Sequence, residues 1–368
     1  MRILIACDSF KDALPAPAVC QAIARGVARA HPDAAITQMP LSDGGEGVLE
    51  VLGHALSLST VTLTVKDALG RPVEAKYGLS TDGKTAVVEM AQASGLEHLS
   101  QAERDPLRTS TYGTGQLLAD ASARGASHAL LAIGGSATND GGVGAAAALG
   151  WQFLDAAGAR IEPVGGNLKN IARIIPAPRM PFARMDVLCD VTNPLYGPHG
   201  ASWVYGRQKG GTDQSLAALD DALRHLAQVM EAETGRKGLA ETPGAGAAGG
   251  LGYGAMAFMN AHLRRGIDVV MERAGFDQAV AAATDLIITG EGRIDGQSAQ
   301  GKLISGVCAH AGKVPVVALC GKLDASEAEV KAIGLKAVYV INDKERPLAE
   351  MLAETAENLE RTAGRIAM

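Results

Sequence analysis

Three loops carry side chains that could bind metal ions and phosphate groups. The loops read Asp8-Ser-Phe-Lys11, Asp43-Gly-Gly-Glu46 and Thr289-Gly-Glu-Gly-Arg-Ile-Asp295, the last of which continues through Gly296-Gln-Ser-Ala-Gln-Gly-Lys302. Carboxylates such as Glu291 and Asp295 can hold Mg²⁺, and cations such as Arg293 and Lys302 can neutralise phosphate charge. Each loop follows an apolar run that predicts a strand, and open α/β sheets bind ligands at the carboxyl ends of their strands. We expect the loops to converge on one cleft, although any one of them could be a solvated loop of mixed charge.

A fourth segment is rich in glycine, follows an apolar strand and opens a helix. It reads Gly134-Gly-Ser-Ala-Thr-Asn-Asp-Gly-Gly-Val-Gly144 and contains no lysine. Backbone N–H groups at such a position, together with Ser136, Thr138 and Asn139, suit a phosphate or a carboxylate. The alternative is a capped helix preceded by a permissive glycine turn.

Asp190 lies at the end of another predicted strand, Val187–Cys189, and precedes the turn Val-Thr-Asn-Pro194. A carboxylate in this position can act as a general base or as a metal ligand, and Asn193 can supply hydrogen bonds. It can also simply form a turn, and spacing alone favours that interpretation.

Two nucleotide-binding patterns are expected to be coincidental. Gly78-Leu-Ser-Thr-Asp-Gly-Lys-Thr85 matches the phosphate-loop pattern, but Thr85–Glu89 reads as a strand and Asp82-Gly83 as a hairpin turn, whereas a phosphate loop must enter a helix. Gly244-Ala-Gly-Ala-Ala-Gly249 lacks the preceding strand and the spaced acidic residue of an NAD site. This second segment either offers N–H groups to an anion or packs its helix tightly.

Neither HExxH nor GxSxG occurs, which disfavours the familiar zinc and serine hydrolases.

The elements that must position these loops alternate at the two ends of the chain. Short β-branched runs alternate there with alanine-rich helical stretches, which is typical of parallel strands joined by crossover helices. The predicted strands are Arg2–Ala6, Ala35–Leu41, Leu286–Thr289, Val314–Leu319 and Ala337–Ile341. In between, three runs separated only by turns predict an antiparallel meander, and Ser215–Met230 predicts an amphipathic helix that ends near Gly235. The fold class is α/β, with one parallel-sheet domain, residues 1–60 plus 266–368, interrupted by a mixed α/β domain over residues 61–265.

The amino-acid composition argues against several classes of function. The 368 residues carry 34 Lys plus Arg against 40 Asp plus Glu, and a net charge of −6 argues against a nucleic-acid partner. The five cysteines are odd in number and have no CxxC spacing, which indicates reduced thiols. Neither a secretion signal nor an apolar run long enough to cross a membrane is visible. We expect a cytoplasmic protein that binds neither nucleic acid nor membranes and that could form a homo-oligomer.

Six motifs together resemble the class I glycerate kinases in order and spacing, essentially from end to end. They are Ala6-Cys-Asp-Ser-Phe-Lys11, Ser42-Asp-Gly-Gly-Glu-Gly47, Gly134-Gly-Ser-Ala-Thr-Asn-Asp-Gly-Gly142, Cys189-Asp-Val-Thr-Asn-Pro-Leu195, Pro243-Gly-Ala-Gly-Ala-Ala-Gly-Gly250 and Thr289-Gly-Glu-Gly-Arg-Ile-Asp295. The resemblance implies a flavodoxin-like, Rossmann-like parallel-sheet domain that carries an inserted mixed α/β domain, with the active site in the cleft between them. It also implies Mg²⁺-dependent transfer of the γ-phosphoryl group of ATP to D-glycerate, which gives 2-phosphoglycerate in the bacterial class.

Such a phosphoryl transfer needs a metal held by carboxylates, cations on the phosphates and a group that accepts the hydroxyl proton. The expected catalytic residues are Asp190, Lys11 and Arg293. The expected substrate-binding and phosphate-binding residues are Asp8, Ser9, Asp43, Gly44, Gly45, Ser136, Thr138, Asn139, Asn193 and Lys302. The expected metal ligands are Glu291 and Asp295, while the choice of base among the carboxylates stays open.

Three positions depart from the family pattern. Cys7 and Arg207 each replace a common proline, and Arg265 stands where Pro-Gly-Ile is frequent. Because Arg207 precedes Gln-Lys-Gly, this departure lies next to Lys209. The alternatives are a non-catalytic sensor of a small hydroxy acid, a dinucleotide-dependent oxidoreductase, and a kinase that gives 3-phosphoglycerate.

Overall fold

A computed structural model describes residues 1–45, 47–295, 303–342, 344 and 346–367. The role expected of Lys302 lies outside the described residues. By its internal contacts the chain divides into two units. Unit 1 comprises Met1–Asp43, Glu50–Leu56 and Gly266–Met368, and unit 2 comprises Gly44–Leu49 and Ser57–Arg265.

The strands of the described residues are β1 (Arg2–Ile5), β2 (Ala35–Gln38), β3 (Leu58–Lys66), β4 (Pro72–Ser80), β5 (Thr85–Glu89), β6 (His128–Ala132), β7 (Gln152–Leu154), β8 (Arg173–Ile175), β9 (Arg184–Leu188), β10 (His262–Arg264), β11 (Leu286–Ile294), β12 (Val316–Leu323) and β13 (Ala337–Val340).

The helices are α1 (Ala16–Ala30), α2 (Val48–Ala55), α3 (Ala91–Ser94), α4 (Tyr112–Ala123), α5 (Val143–Ala148), α6 (Ala201–Tyr205), α7 (Asp213–Thr234), α8 (Ala247–Met259), α9 (Gly266–Ala274), α10 (Phe276–Ala281), α11 (Leu303–His310), α12 (Glu327–Ile333), α13 (Leu348–Ala353) and α14 (Thr355–Ala363). Short 3₁₀ helices cover Leu96–His98, Gln101–Glu103, Gly165–Asn170 and Arg207–Lys209.

Unit 1 is built on a five-stranded sheet with the order β2-β1-β11-β12-β13, and its neighbouring strands all pair in parallel. This is the doubly wound order of flavodoxin-like folds, in which the direction of winding reverses between the first and third strands. The α/β fold class and the parallel sheet drawn from both chain ends are therefore confirmed. The reversal lies between β1 and β11, where such folds bind their ligands.

Two of the parallel strands are longer than predicted. β11 and β12 stay paired from Ile287 with Val316 to Ile294 with Leu323. The segment that was expected to be a loop after Thr289 is therefore mostly strand. Gly290 explains why, because a Cβ at that position would lie 2.6 Å from the carbonyl oxygen of Leu319, so only glycine lets the two backbones come this close.

The helices of unit 1 follow from their apolar spacing. Val19, Ile23 and Val27 recur every four residues along α1 and are fully buried. They share a core with β1 and with Leu359 of α14. Gly26 lets the two helices touch, since a Cβ there would lie 2.1 Å from the carbonyl oxygen of Glu360. The last helix of the chain thus completes a core that begins with the first strand.

Unit 2 holds a six-stranded mixed sheet with the order β3-β4-β5-β6-β9-β10, together with the small β7-β8 pair. β3, β4 and β5 pair antiparallel, as the meander prediction requires, while β5, β6, β9 and β10 pair in parallel. Gly83 has a φ of 70° in the turn between β4 and β5. The phosphate-loop match is therefore a hairpin, and that prediction is confirmed.

The long helix of unit 2 also agrees with its sequence pattern. α7 begins after Thr212, whose hydroxyl accepts a hydrogen bond from the Ser215 N–H, and it ends at Gly235 with a φ of 71°. Across the described residues, no helix has both the length and the apolar character needed to span a membrane.

Candidate functional site

The carboxyl ends of β1, β2 and β11 bring three acidic side chains of unit 1 together. The Asp8 N–H donates to the Gly290 carbonyl oxygen at 3.0 Å, which ties the end of β1 to β11. The Leu41 N–H donates to the Cys7 carbonyl oxygen at 2.9 Å, which brings the segment before Asp43 to the same edge. Asp43 and Glu291 both act electrostatically on Asp8.

Asp8 is the electrostatic centre of this group. Burial, the negative charge of Asp43 and that of Glu291 raise its pKa to about 7, although the Ser9 N–H donates to its Oδ1 at 2.6 Å. Burial also raises the pKa of Cys320 to about 12, and Glu291 and Asp324 add to that shift. This edge of the sheet therefore concentrates negative charge that a bound cation would relieve.

The residues present suit Mg²⁺ in chemical type. Carboxylate oxygens are its preferred protein ligands, and Mg²⁺ usually takes only one or two of them together with substrate phosphates and water. Within the described ranges, no group of three or more His, Cys, Asp or Glu side chains has the arrangement of a metal site. Glu291 and Asp295 as metal ligands stay a prediction, and the repulsion among Asp8, Asp43 and Glu291 supports a cation nearby.

Lys11 is exposed at the tip of a short turn. Phe10 anchors this turn in the core, and its backbone exchanges two 2.9 Å hydrogen bonds with that of Leu14. A Cβ at Gly292 would lie 3.6 Å from the backbone nitrogen of Lys11, so the turn passes directly beside β11. The Lys11 backbone therefore lies beside the strand that carries Glu291, and its side chain is exposed.

Arg293 has partners that the sequence interpretation missed. Its Nε lies 2.7 Å from Asp324 Oδ2 and 3.9 Å from Asp295 Oδ2, and Lys322 Nζ lies 3.1 Å from Asp324 Oδ1. Lys322 and then Arg293 lower the pKa of Asp324. Lys322 and Asp324 lie at the carboxyl end of β12. Polar residues at the carboxyl ends of parallel strands are expected to bind ligands. This rule would have found Lys322 and Asp324 if β12 had not been predicted to stop at Leu319.

In unit 2, the four parallel strands also bring polar groups to one edge. Glu89 ends β5, the glycine-rich loop follows β6, Asp190 follows β9, and Arg265 follows β10. Glu89 is largely buried, and its Oε1 accepts a hydrogen bond from the Leu49 N–H at 2.8 Å. The sequence interpretation missed Glu89 although it ends a correctly predicted strand.

The glycine-rich loop after β6 turns its predicted side chains inward. Ser136, Thr138 and Asn139 are buried, the first two hydroxyls are 3.1 Å apart, and Asn139 Nδ2 donates to Ser202 Oγ at 2.9 Å. Gly134 and Gly135 are the exposed part of the loop. The side chains therefore hold the loop together, and their contact with a substrate stays a prediction.

Asp140 anchors the other end of this loop. Its carboxylate accepts hydrogen bonds at 2.7 to 3.1 Å from the Thr111 N–H and hydroxyl and from the N–H groups of Gly142 and Gly144. Burial raises its pKa, and these four donors oppose that shift. The carboxylate caps the start of α5, as the helix-capping alternative proposed.

The segment that matched the dinucleotide pattern packs against the same loop. Gly249 has a φ of 68° inside α8, and a Cβ there would lie 1.9 Å from the Thr138 carbonyl oxygen. The Gly249 carbonyl oxygen accepts a hydrogen bond from the Gly141 N–H at 3.0 Å. This segment therefore serves tight packing, which was one of the two interpretations left open.

Asp190 is exposed two residues beyond the end of β9. Asn193 braces the following turn: its Nδ2 donates to the His199 carbonyl oxygen at 2.8 Å, and its Oδ1 accepts from the Tyr205 hydroxyl at 2.6 Å. Asp43 is followed by a turn through Gly44, with a φ of 98°, and Gly45. Binding roles for Asn193, Gly44 and Gly45 stay predictions.

Comparison with known proteins decides the family. The model of the glycerate kinase family matches residues 3–368. The chain belongs to the glycerate kinase family. A glycerate kinase of Bacillus cereus is 42% identical over 100% of this chain and 97% of its own length, and a glycerate 2-kinase of Escherichia coli is 41% identical with the same coverage. A crystal structure assigned as glycerate kinase 2 from Salmonella typhimurium LT2 has a TM-score of 0.88 and 40% identity, and covers 99% of this chain and 96% of its own.

The family assignment confirms the resemblance noted from the motifs. It covers all six of them, since each lies within residues 3–368. Glycerate kinases are phosphotransferases that act on an alcohol group, so an NAD-dependent oxidoreductase is excluded as the main activity.

Proposed function

We propose that this protein transfers the γ-phosphoryl group of ATP to the 2-hydroxyl of D-glycerate and releases ADP and 2-phosphoglycerate. The observation that carries the proposal is the family match over nearly the whole chain, together with a relative named glycerate 2-kinase that is 41% identical over 97% of its own length. The acidic and cationic groups at the two sheet edges are of the kinds that this reaction needs.

The chemistry assigns a task to each group. The hydroxyl oxygen of glycerate forms a bond to the γ-phosphorus while the bond to the β,γ-bridging oxygen breaks, and the hydroxyl proton passes to a base. When bound, Mg²⁺ neutralises charge on the ATP phosphates, and Asp43, Glu291 and Asp295 are its candidate ligands. Lys11 and Arg293 bind phosphate oxygens, and Arg293 exchanges its ion pair with Asp324 for that contact.

The first experiment is a coupled assay of ADP release with D-glycerate, L-glycerate, tartronate and hydroxypyruvate. We expect turnover with D-glycerate that requires ATP and Mg²⁺. Binding of D-glycerate without ADP release would instead support the sensor alternative and overturn the proposal.

The product distinguishes the two kinase alternatives. Phosphorus NMR of the reaction mixture is expected to show 2-phosphoglycerate. A pure 3-phosphoglycerate signal would contradict the regiochemistry while leaving the kinase activity intact.

Asp190 is proposed as the group that accepts the hydroxyl proton or holds the metal. Loss of a general base typically lowers the rate by about 10² to 10⁴, so Asp190→Asn should reduce kcat strongly with little change in melting temperature. Asp155→Asn is the matched control, because Asp155 Oδ1 only accepts turn hydrogen bonds, from the N–H groups of Ala157 and Ala159 at 2.9 Å. A near-normal kcat in folded Asp190→Asn would eliminate the catalytic role, and recovery at high Mg²⁺ would identify a metal ligand.

Location in the cytoplasm and assembly into a homo-oligomer are further proposals, and gel filtration with light scattering tests the second.

A further inference from the structure

Lys209 is a buried lysine that the reaction as described does not use. It ends the 3₁₀ helix Arg207–Lys209, and its side chain is almost wholly removed from solvent. The ammonium donates to the Thr138 carbonyl oxygen at 2.6 Å and to Ser136 Oγ at 3.3 Å. Both acceptors belong to the glycine-rich loop after β6, about seventy residues earlier in the chain.

The position is costly for a positive charge. Burial lowers the pKa of Lys209 to about 7, and the negative charge of Asp140 opposes that shift only in part. The Asp140 carboxylate already accepts four hydrogen bonds from Thr111, Gly142 and Gly144. A neutral amide donor would satisfy the Thr138 carbonyl oxygen at a smaller desolvation cost, so hydrogen bonding alone does not account for an ammonium here.

The loop contacted by Lys209 has a buried side and an exposed side. Thr138 is held from two directions, by the ammonium and by the close backbone of Gly249. Ser136 Oγ also accepts the Thr138 N–H at 3.1 Å, which closes a tight turn. Gly134 and Gly135 lie exposed directly before this turn, and Gly135 has a φ of 72°. The ammonium therefore supports a turn whose exposed residues are glycines.

We infer that Lys209 is a positioning residue for an anionic substrate group: through Ser136 and Thr138 it holds the Gly134–Ser136 turn so that backbone N–H groups bind a carboxylate or phosphate oxygen. The inference rests on the proposed function. A turn of successive N–H groups makes a concave anion site, and the Lys209 side chain, in its protonated form, adds a positive charge to the attraction. The anion is the carboxylate of glycerate or a phosphate of ATP, and the two KM values distinguish these sources.

The test compares Lys209→Met, which removes the charge and the donors at similar length, with Lys209→Arg, which keeps both. Lys169→Met is the matched control, because Lys169 is an exposed lysine in another 3₁₀ helix of the same unit, Gly165–Asn170. KM for D-glycerate, KM for ATP, kcat and the melting temperature are measured for each. KM does not depend on the fraction of active molecules, whereas the apparent kcat does, so the two constants separate positioning from simple loss of folded protein.

We expect Lys209→Met to raise one of the two KM values about tenfold or more, which is 1.4 kcal/mol. The KM values of Lys209→Arg should lie closer to those of the wild type, and those of Lys169→Met should be unchanged. Ser136→Ala, which removes one acceptor of the ammonium, should raise the same KM and serves if Lys209→Met does not fold. Unchanged KM values in both variants, whatever their stability, would overturn the inference alone. If the wild-type protein releases no ADP with D-glycerate, the proposed function is overturned. In that case the Kd values for D-glycerate and ATP are measured by calorimetry in the wild type and in Lys209→Met. Equal Kd values in the two proteins for both ligands would then overturn the inference as well.

Discussion

At the scale of single residues, Asp8 shows how the fold changes ordinary side-chain chemistry. Its carboxyl would be ionised at neutral pH in solution, but burial and the charges of Asp43 and Glu291 raise the pKa to about 7. Half of the Asp8 side chains are then protonated at neutral pH when no cation is bound. A metal ion bound by the neighbouring carboxylates would compete with that proton, because a positive charge nearby favours the ionised form of Asp8.

Magnesium dependence should therefore change with pH. With a pKa of about 7, the ionised fraction of Asp8 falls about tenfold between pH 8 and pH 6, so the Mg²⁺ concentration for half-maximal activity should rise by a similar factor as the pH falls. Asp8→Asn should need more Mg²⁺ at pH 8 and lose this pH dependence. Asp12→Asn is the control, since Asp12 is exposed with a φ of 62° that asparagine tolerates. The same pH profile in Asp8→Asn as in Asp12→Asn would contradict this coupling between Asp8 and the metal.

At the scale of elements, the hairpin between β4 and β5 decides what the phosphate-loop match means. Lys84 is exposed, its N–H donates to Asp82 Oδ1 at 2.9 Å, and its carbonyl oxygen accepts from the His128 N–H at 3.0 Å. We expect Lys84→Ala to leave the KM for ATP nearly unchanged, while Lys11→Ala raises it. A rise of more than about tenfold for Lys84→Ala, equivalent to 1.4 kcal/mol, would show that the hairpin binds the nucleotide.

The start of α8 is an element whose glycines are required by packing. Gly249 and Gly158 both have a positive φ, 68° and 83°, but only at Gly249 would a Cβ meet another atom, the Thr138 carbonyl oxygen at 1.9 Å. Gly158→Ala should therefore cost about 1 to 2 kcal/mol for its backbone conformation alone. Gly249→Ala should cost several kcal/mol more in chemical denaturation, and equal losses in the two variants would refute the packing role.

At the scale of the whole molecule, both ends of the chain build one core. Ile3 and Ile5 of β1 pack in the same buried cluster as Leu359 and Ala363 of α14. Truncating a buried leucine typically costs about 2 to 5 kcal/mol, so Leu359→Ala should lower the unfolding midpoint followed by circular dichroism. Leu348→Ala is the control, because Leu348 is 66% exposed. If both variants unfold like the wild type, the C-terminal helix does not stabilise unit 1 as proposed.

The sequence by itself determined those features that depend on neighbouring residues. Alternating apolar runs marked β1, β11 and the meander, and Asp82-Gly83 marked a hairpin, because strand pleat and turn geometry are local properties of the backbone. The ordered motifs determined the family. The sequence did not determine where the strands end. In β12, pairing continues past Leu319 because of the neighbouring strand rather than because of local propensity.

Only the tertiary structure decided which charged groups meet and how far they are buried. Asp8, Asp43 and Glu291 are remote in sequence, yet parallel pairing brings them to one sheet edge and shifts the pKa of Asp8. Nothing near Lys209 in the sequence indicates that its ammonium binds Thr138, 71 residues earlier. The physical reason is that desolvation and Coulomb interactions depend on distance through the folded protein, and distance along the chain does not determine it.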